Sequence, residues 1–157
     1  MNALLTFLTI LFVDRVSKAW AFKALATKSL APFYGCNIVL TWNHGISWGL
    51  FASHNVYVFY ILTTIISCTI GGLVWYTLRR ALRFRPIIFE TLAIAGALSN
   101  LVDRLFYGAV IDFIELYAGS LFFPVFNLAD VAIFIGAVGM ICNSFQKEPH
   151  GCYKDRD

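Results

Sequence analysis

Four long apolar runs, separated by polar and turn-forming segments, organise this chain. They cover residues 4–22, 56–78, 87–102 and 128–145, and each approaches the about 20 residues a helix needs to cross about 30 Å of hydrocarbon. The pattern predicts a membrane all-α protein with four transmembrane helices. Between the first two runs, Asn37-Ile-Val-Leu-Thr-Trp42 has strand-type composition and Asn43-His44-Gly45 supplies turn chemistry, after which Ile46-Ser-Trp48-Gly-Leu-Phe51 resumes an apolar, aromatic run. A small β-hairpin or curved sheet is expected there. Between the last two runs, Leu116-Tyr-Ala-Gly-Ser-Leu-Phe-Phe-Pro124 mixes turn formers with aromatics, which suits an interfacial loop or short helix. Trp42, Trp48, Phe51, Tyr57 and Tyr60 gather near the start of the second run, where amphipathic rings favour the headgroup level. No repeat or low-complexity tract divides residues 1–157, so a single integral membrane domain is expected.

Composition agrees: 59% hydrophobic and 13% charged residues, with a mean hydropathy of +0.73, are too apolar for a soluble domain of 157 residues. The first run is read as retained, although Ala24-Leu25-Ala26 resembles a cleavage pattern. It lacks a basic leader and carries Asp14, Arg15 and Lys18 where an apolar core should continue. Arg79, Arg80, Arg83 and Arg85, with no acid among them, place the loop between runs two and three in the cytoplasm. Both termini are then cytoplasmic, and residues 23–55 and 103–125 face the other side. The net charge of +3 comes mostly from this loop and gives no case for nucleic acid binding. The tail, residues 146–157, is polar and charge-balanced, as in disordered segments.

Cys36, Cys68, Cys142 and Cys152 have no natural pairing in this topology; Cys68 and Cys142 are expected to serve as small buried hydrophobes. His44, His54 and His150 fit no zinc-protease spacing, which argues against a catalytic metal.

The candidate chemistry lies in acidic groups at or near membrane depth, where an unpaired charge is expensive to keep. Asp112 is flanked by Val110, Ile111, Phe113 and Ile114. It could cap a turn, pair with Arg104, or serve as a carboxyl group held neutral by desolvation. Asp130 stands three residues after Asn127, the spacing of a capping box in which an acid also meets the positive end of the helix dipole. If Asp112 and Asp130 meet, they can share one proton, as hydrolysis by general acid and base requires. Asn100, Asp103 and Arg104 form a polar patch at helical spacing, with Arg104 alternatively snorkelling to the interface. Asp14 and Lys18, four apart, can neutralise each other as a structural ion pair. Asn43 and Gly45 can be turn residues alone.

The blocks Gly96-Ala-Leu-Ser-Asn100-Leu-Val-Asp103-Arg104, Gly108-Ala-Val-Ile-Asp112-Phe and Phe126-Asn127-Leu-Ala129-Asp130 resemble, in that order, the motifs of the lipoprotein signal peptidases, or signal peptidase II. Asp14-Arg15-Val-Ser-Lys18 and Asn43-His44-Gly45 extend the resemblance to nearly the whole chain. The resemblance implies that Asp112 and Asp130 are the catalytic pair of an aspartic endopeptidase. Asn43, Gly45, Asn100, Arg104, Asn127, Asp14, Lys18, Asp103 and Ala129 would bind substrate or support the site, with Arg104 engaging the substrate backbone. It implies cleavage of prolipoproteins just before a diacylglyceryl-modified cysteine, contact with membrane lipid, inhibition by globomycin, and no metal, nucleotide or organic cofactor. Ser99 stands where many members have glycine, and Ile46-Ser47-Trp48 replaces a more usual Ala-Ala-Phe-like continuation. The alternative from another class is a small transporter whose intramembrane aspartates relay protons or cations, which would spread its acids along a path through the bilayer. A scaffold without chemistry would leave Asp112 unexplained.

Overall fold

The computed structural model describes residues 2–45 and 56–145. Its elements in chain order are α1 (Ala3–Ala24), β1 (Leu30–Phe33), β2 (Cys36–Asn43), α2 (Val56–Ala81), α3 (Ile88–Tyr107), β3 (Val110–Ala118), β4 (Leu121–Phe122) and α4 (Leu128–Phe145). The strands form one antiparallel sheet in the order β1-β2-β3-β4.

The helical part is apolar outside and polar inside. Leu8, Phe12, Val16 and Trp20 of α1 and Phe134, Ile135, Val138 and Ile141 of α4 are exposed, whereas the largest fully buried side chains include Lys18, Asn127, Asp14, Asp103 and Asp112. A chain in water would arrange these the other way round. Among the described residues two helices, α2 and α4, with 26 and 18 residues, are long and apolar enough to cross a membrane. Helices α1 and α3 match them in length, 22 and 20 residues, but α1 carries Asp14, Arg15, Lys18 and Lys23, and α3 carries Glu90, Asp103 and Arg104.

Helix α4 lies against α3 through a stripe of small residues, the means by which apolar helices approach closely. Ala129, Ala132, Gly136 and Gly139 form its buried face. A Cβ on Gly96 of α3 would collide with the carbonyl oxygen of Ala129, and one on Gly136 would collide with the backbone of Phe89 and Ala93. Helix α3 ends at Gly108, whose φ of 71° turns the chain into β3. The left-handed conformation is the one glycine adopts at least cost.

The sheet corrects three expectations. The protein is mostly helical with the expected small sheet, but the sheet is larger, because Val110–Ala118 adds a strand of nine residues. Its Asp112 and Glu115 interrupt the apolar alternation that would have marked it in sequence. The expected strand over residues 37–42 exists within β2, but its described neighbours are β1 and β3, with Thr41 opposite Asp112 and Asn43 opposite Val110. The other expected arm, residues 46–51, lies outside the described residues. Residues 116–124 are not a short helix; β3 and β4 make a hairpin around Gly119, whose φ is 61°. Cys68 and Cys142 are exposed on the protein surface in place of being buried, while Cys36 is buried. Cys152, His54, His150, Trp48, Phe51 and the tail lie outside the described residues. Trp42 packs with Phe22 and Tyr107, at centroid separations of 6.0 and 5.7 Å, and so joins the ends of α1 and α3.

The sheet sits on the C-terminal end of α1, where Ala21, Leu25 and Phe113 form a buried cluster with Ile38, Leu40, Ile114 and Leu128 around it. Paired backbone bonds between Ile114 and Phe126, both 2.9 Å, lay the segment before α4 along β3. Asn127, the next residue, is thereby delivered beside Asp112.

Candidate active site

Asp112 on β3 is buried and held by two amides. Asn127 Nδ2 donates to its Oδ1 at 2.6 Å and Asn43 Nδ2 to its Oδ2 at 2.9 Å. Asn43 reaches it as a diagonal cross-strand neighbour, two positions from the residue directly opposite. The alternative in which Asp112 pairs with Arg104 is not found: no ion pair joins them among the described residues, and Arg104 Nη2 donates to the carbonyl of Gly45 at 2.6 Å. Arg104 is buried, so it does not snorkel.

Asp130, on the first turn of α4, makes the capping box expected from its spacing. Its amide donates to Asn127 Oδ1 at 3.0 Å, and its Oδ2 accepts from the amide of Asn127 at 3.2 Å. Its Oδ1 is free of that duty and accepts from Asn100 Nδ2 at 2.8 Å. The helix cap is therefore real but leaves one carboxylate oxygen engaged elsewhere.

Both aspartates line one cavity of about 110 Å³, with Asn43, Asn100 and Arg104 around them and Ile66, Ala97, Val110 and Ile133 completing the wall. Burial, and then the charge of Asp130, push the Asp112 carboxyl up from an ordinary 3.8 to about 7, against the opposing effect of the Asn43 and Asn127 amides. One protonated and one ionised carboxyl group near neutral pH is the division of labour that acid and base hydrolysis needs.

A charge cluster stands behind the cavity. Lys18 Nζ lies 2.8 Å from Asp14 Oδ2 and 2.8 Å from Asp103 Oδ2, and donates to Asn100 Oδ1 at 2.7 Å. Asp14 and Lys18 thus form the ion pair expected from their spacing, but as part of a larger network. Asp14 Oδ1 also accepts from the backbone amide of Ala129 at 2.9 Å, and its Oδ2 accepts from Ser99 Oγ at 2.6 Å, so one carboxylate ties α1 to both α3 and α4. Two participants had no role assigned from sequence. Arg15 pairs with Asp103 Oδ1 at 2.7 Å and donates to the Ser99 carbonyl at 3.2 Å. Ser99 supplies the hydroxyl just described. Only the adjacency of Arg15 to Asp14 could have suggested the first, and nothing in the sequence suggested the second. Gly45 contributes backbone alone: its amide donates to Asn43 Oδ1 at 2.9 Å and its carbonyl holds Arg104. Among the described residues no group of three histidine, cysteine, aspartate or glutamate side chains could hold a metal ion.

Comparison with known proteins accords with this geometry. The chain is 37% identical over 154 residues to the lipoprotein signal peptidase of Methylorubrum extorquens, covering 94% of this chain and 88% of that one. It is 39% identical over 140 residues to the lipoprotein signal peptidase of Rickettsia conorii, covering 85% and 68%. Two solved structures of a bacterial membrane enzyme, obtained by the in meso method at 2.3 and 1.9 Å, superimpose with a TM-score of 0.70 each. Their identities are 26% and 29%, and they cover 94% and 93% of this chain and 92% and 94% of theirs. A sequence profile of signal peptidase (SPase) II matches residues 6–146, and with these relatives over most of its length the chain belongs to the signal peptidase II family, the lipoprotein signal peptidases.

Proposed function

We propose that this protein is an aspartic endopeptidase that removes the signal peptide from diacylglyceryl-modified prolipoproteins, cutting immediately before the lipidated cysteine. The observation that carries the aspartic mechanism is the shared cavity of Asp112 and Asp130, each carboxylate aimed by asparagine amides. Ionised Asp130 takes a proton from water as the water oxygen bonds to the scissile carbonyl carbon. Protonated Asp112 gives its proton to the carbonyl oxygen, forming a gem-diol. Proton return to the amide nitrogen then breaks the C–N bond, leaving a carboxylic acid and a free amine, with titration belonging to the pair. The positive end of α4 favours the anion at Asp130, and the elevated proton affinity of Asp112 suits the acid. Arg104 borders the cavity from α3 and supplies positive charge beside the substrate backbone. No step calls on a metal or an organic cofactor.

All four helices cross the bacterial inner membrane in this reading, with both termini cytoplasmic and the sheet at the extracytoplasmic surface. At 1.5 Å per residue α1 and α3 are about 33 and 30 Å long, enough for the hydrocarbon. Most of their charges do not count against spanning, because Asp14, Lys18, Glu90, Asp103 and Arg104 are buried within the bundle and Lys23 stands in the last turn of α1. Membership in a signal peptidase family favours this reading over a proton-relaying carrier. Purified protein should cleave a diacylglyceryl prolipoprotein far faster than the unmodified precursor, and globomycin should inhibit it. Equal rates on both precursors would remove the lipid requirement from the proposal.

A further inference from the structure

A second cavity, of about 340 Å³, opens beside Lys18, and its walls share no residue with the first. Arg15, Lys18 and Lys23 from one face of α1 line it, closed by Tyr107 at the end of α3 and Ile111 on β3. Arg15 and Lys18 are balanced by Asp14 and Asp103. Lys23 forms no ion pair among the described residues, so three cations face two carboxylates and the cavity keeps one net positive charge. The buried Nε of Arg15 also lacks an acceptor among the described residues.

Position says what kind of anion fits. Lys23 is in the last turn of α1 and Tyr107 in the last turn of α3, and both ends lead into the sheet. Beside them, Phe22, Trp42 and Tyr107 make a continuous aromatic ridge, with Phe22 and Tyr107 about half exposed and Trp42 37% exposed. Such rings sit at the level of lipid headgroups, and lysine and arginine there bind phosphate oxygens by charge-assisted hydrogen bonds. The volume lies at the low end of ligand pockets, about 300–1,000 Å³. A diacylglyceryl group, being uncharged, has no use for the cations. We infer that this cavity binds the phosphate of an anionic phospholipid from the leaflet bordering the sheet, in a site separate from the one holding Asp112 and Asp130.

Native mass spectrometry of the full chain, released from detergent with added lipid, tests this without any peptidase substrate, so the result stands whether or not the cleavage reading holds. One phosphatidylglycerol should be retained. Lys23→Gln should weaken retention about fivefold, the effect of one surface cation on an anionic lipid, and Lys23→Arg should restore it. Lys23 is exposed and outside the charge network, so both variants should fold. Equal retention of dioleoylglycerol, which has the chains but no phosphate, or unchanged retention in Lys23→Gln, would overturn the site. Displacement of the lipid by an equal concentration of inorganic phosphate would overturn the lipid as its source.

Discussion

Asn127 places Nδ2 2.6 Å from Asp112 Oδ1, and it can do so in one orientation only. Its own Oδ1 accepts from the backbone amide of Asp130, a group that can only donate. The same logic fixes the other two asparagines. Asn43 Oδ1 is held by the amide of Gly45, and Asn100 Oδ1 by the ammonium of Lys18. Each oxygen is tied to an obligatory donor, so each Nδ2 is left to face a carboxylate. The three residues act as fixed donors, and Lys18 reaches the site through Asn100.

Reversing that polarity should be worse than removing it. Asn127→Asp replaces the donor toward Asp112 with a third carboxylate in a buried site, whereas Asn127→Ala leaves only a missing donor. We expect cleavage to fall in both, further in Asp than in Ala, by about 5- to 150-fold given about 1–3 kcal/mol for an unsatisfied buried polar group. Steady-state assays on folded protein, checked by thermal unfolding, measure this; an Asp variant as active as wild type would refute the donor role.

Asp112→Asn and Asp130→Asn should each reduce turnover by about 10²–10⁴-fold, the usual range for loss of general acid or base catalysis. Because the two act as a unit, the double variant should be scarcely slower than either single one. Globomycin binding, read by calorimetry, should persist. Near-normal cleavage by a well-folded single variant would end the aspartic mechanism.

Much of the site could be read from sequence because its spacing is local. The capping offset of Asn127 and Asp130 and the four-residue offset of Asp14 and Lys18 both correspond to contacts in the fold. What could not be read depends on long-range register. Asp112 meets Asn43 across 69 positions only because Thr41 pairs with Asp112 in the sheet, and the strand itself was hidden by its acids. The alternative of Asp112 pairing with Arg104 leaves out a backbone acceptor, Gly45, which carries no side-chain signal.

The raised proton affinity of Asp112 predicts a pH dependence with a definite sign. Its folded-state value, about 7, lies above the ordinary 3.8. The stability it contributes is therefore complete below about pH 4 and is lost as pH rises through about 7. Asp112→Asn should flatten the unfolding profile across that window. If Asp112 is the acid, kcat/KM should also decline above about pH 7 as its proton is lost. A profile flat from pH 6 to 9 would count against that assignment.

Ser99 offers a test of the charge cluster apart from the catalytic residues. Its hydroxyl donates to Asp14 Oδ2 at 2.6 Å in a fully buried setting. Ser99→Ala should cost about 1.5–3 kcal/mol, the range for a hydrogen bond to a charged group. The loss should appear as a lower unfolding midpoint with kcat nearly unchanged, since Lys18 still orders Asp14.

Gly96 tests whether the site depends on how closely α3 and α4 approach. Asn100, one turn beyond it, must reach Asp130 on α4, and the small residues between the helices set that separation. A Cβ at position 96 would overlap the Ala129 carbonyl oxygen and meet the Ile133 side chain, and neither helix backbone can yield locally. Gly96→Ala should thus force the helices apart and destabilise the protein by about 1–3 kcal/mol, the cost of overpacking a filled interior. Activity should fall more than the folded fraction does, because the Asn100 to Asp130 bond of 2.8 Å lengthens with the same displacement. Gly72→Ala on α2, where an added Cβ meets nothing, is the matched control and should leave both measurements unchanged. Equal behaviour of the two alanine variants would show that the α3 and α4 contact does not set the geometry of the aspartates.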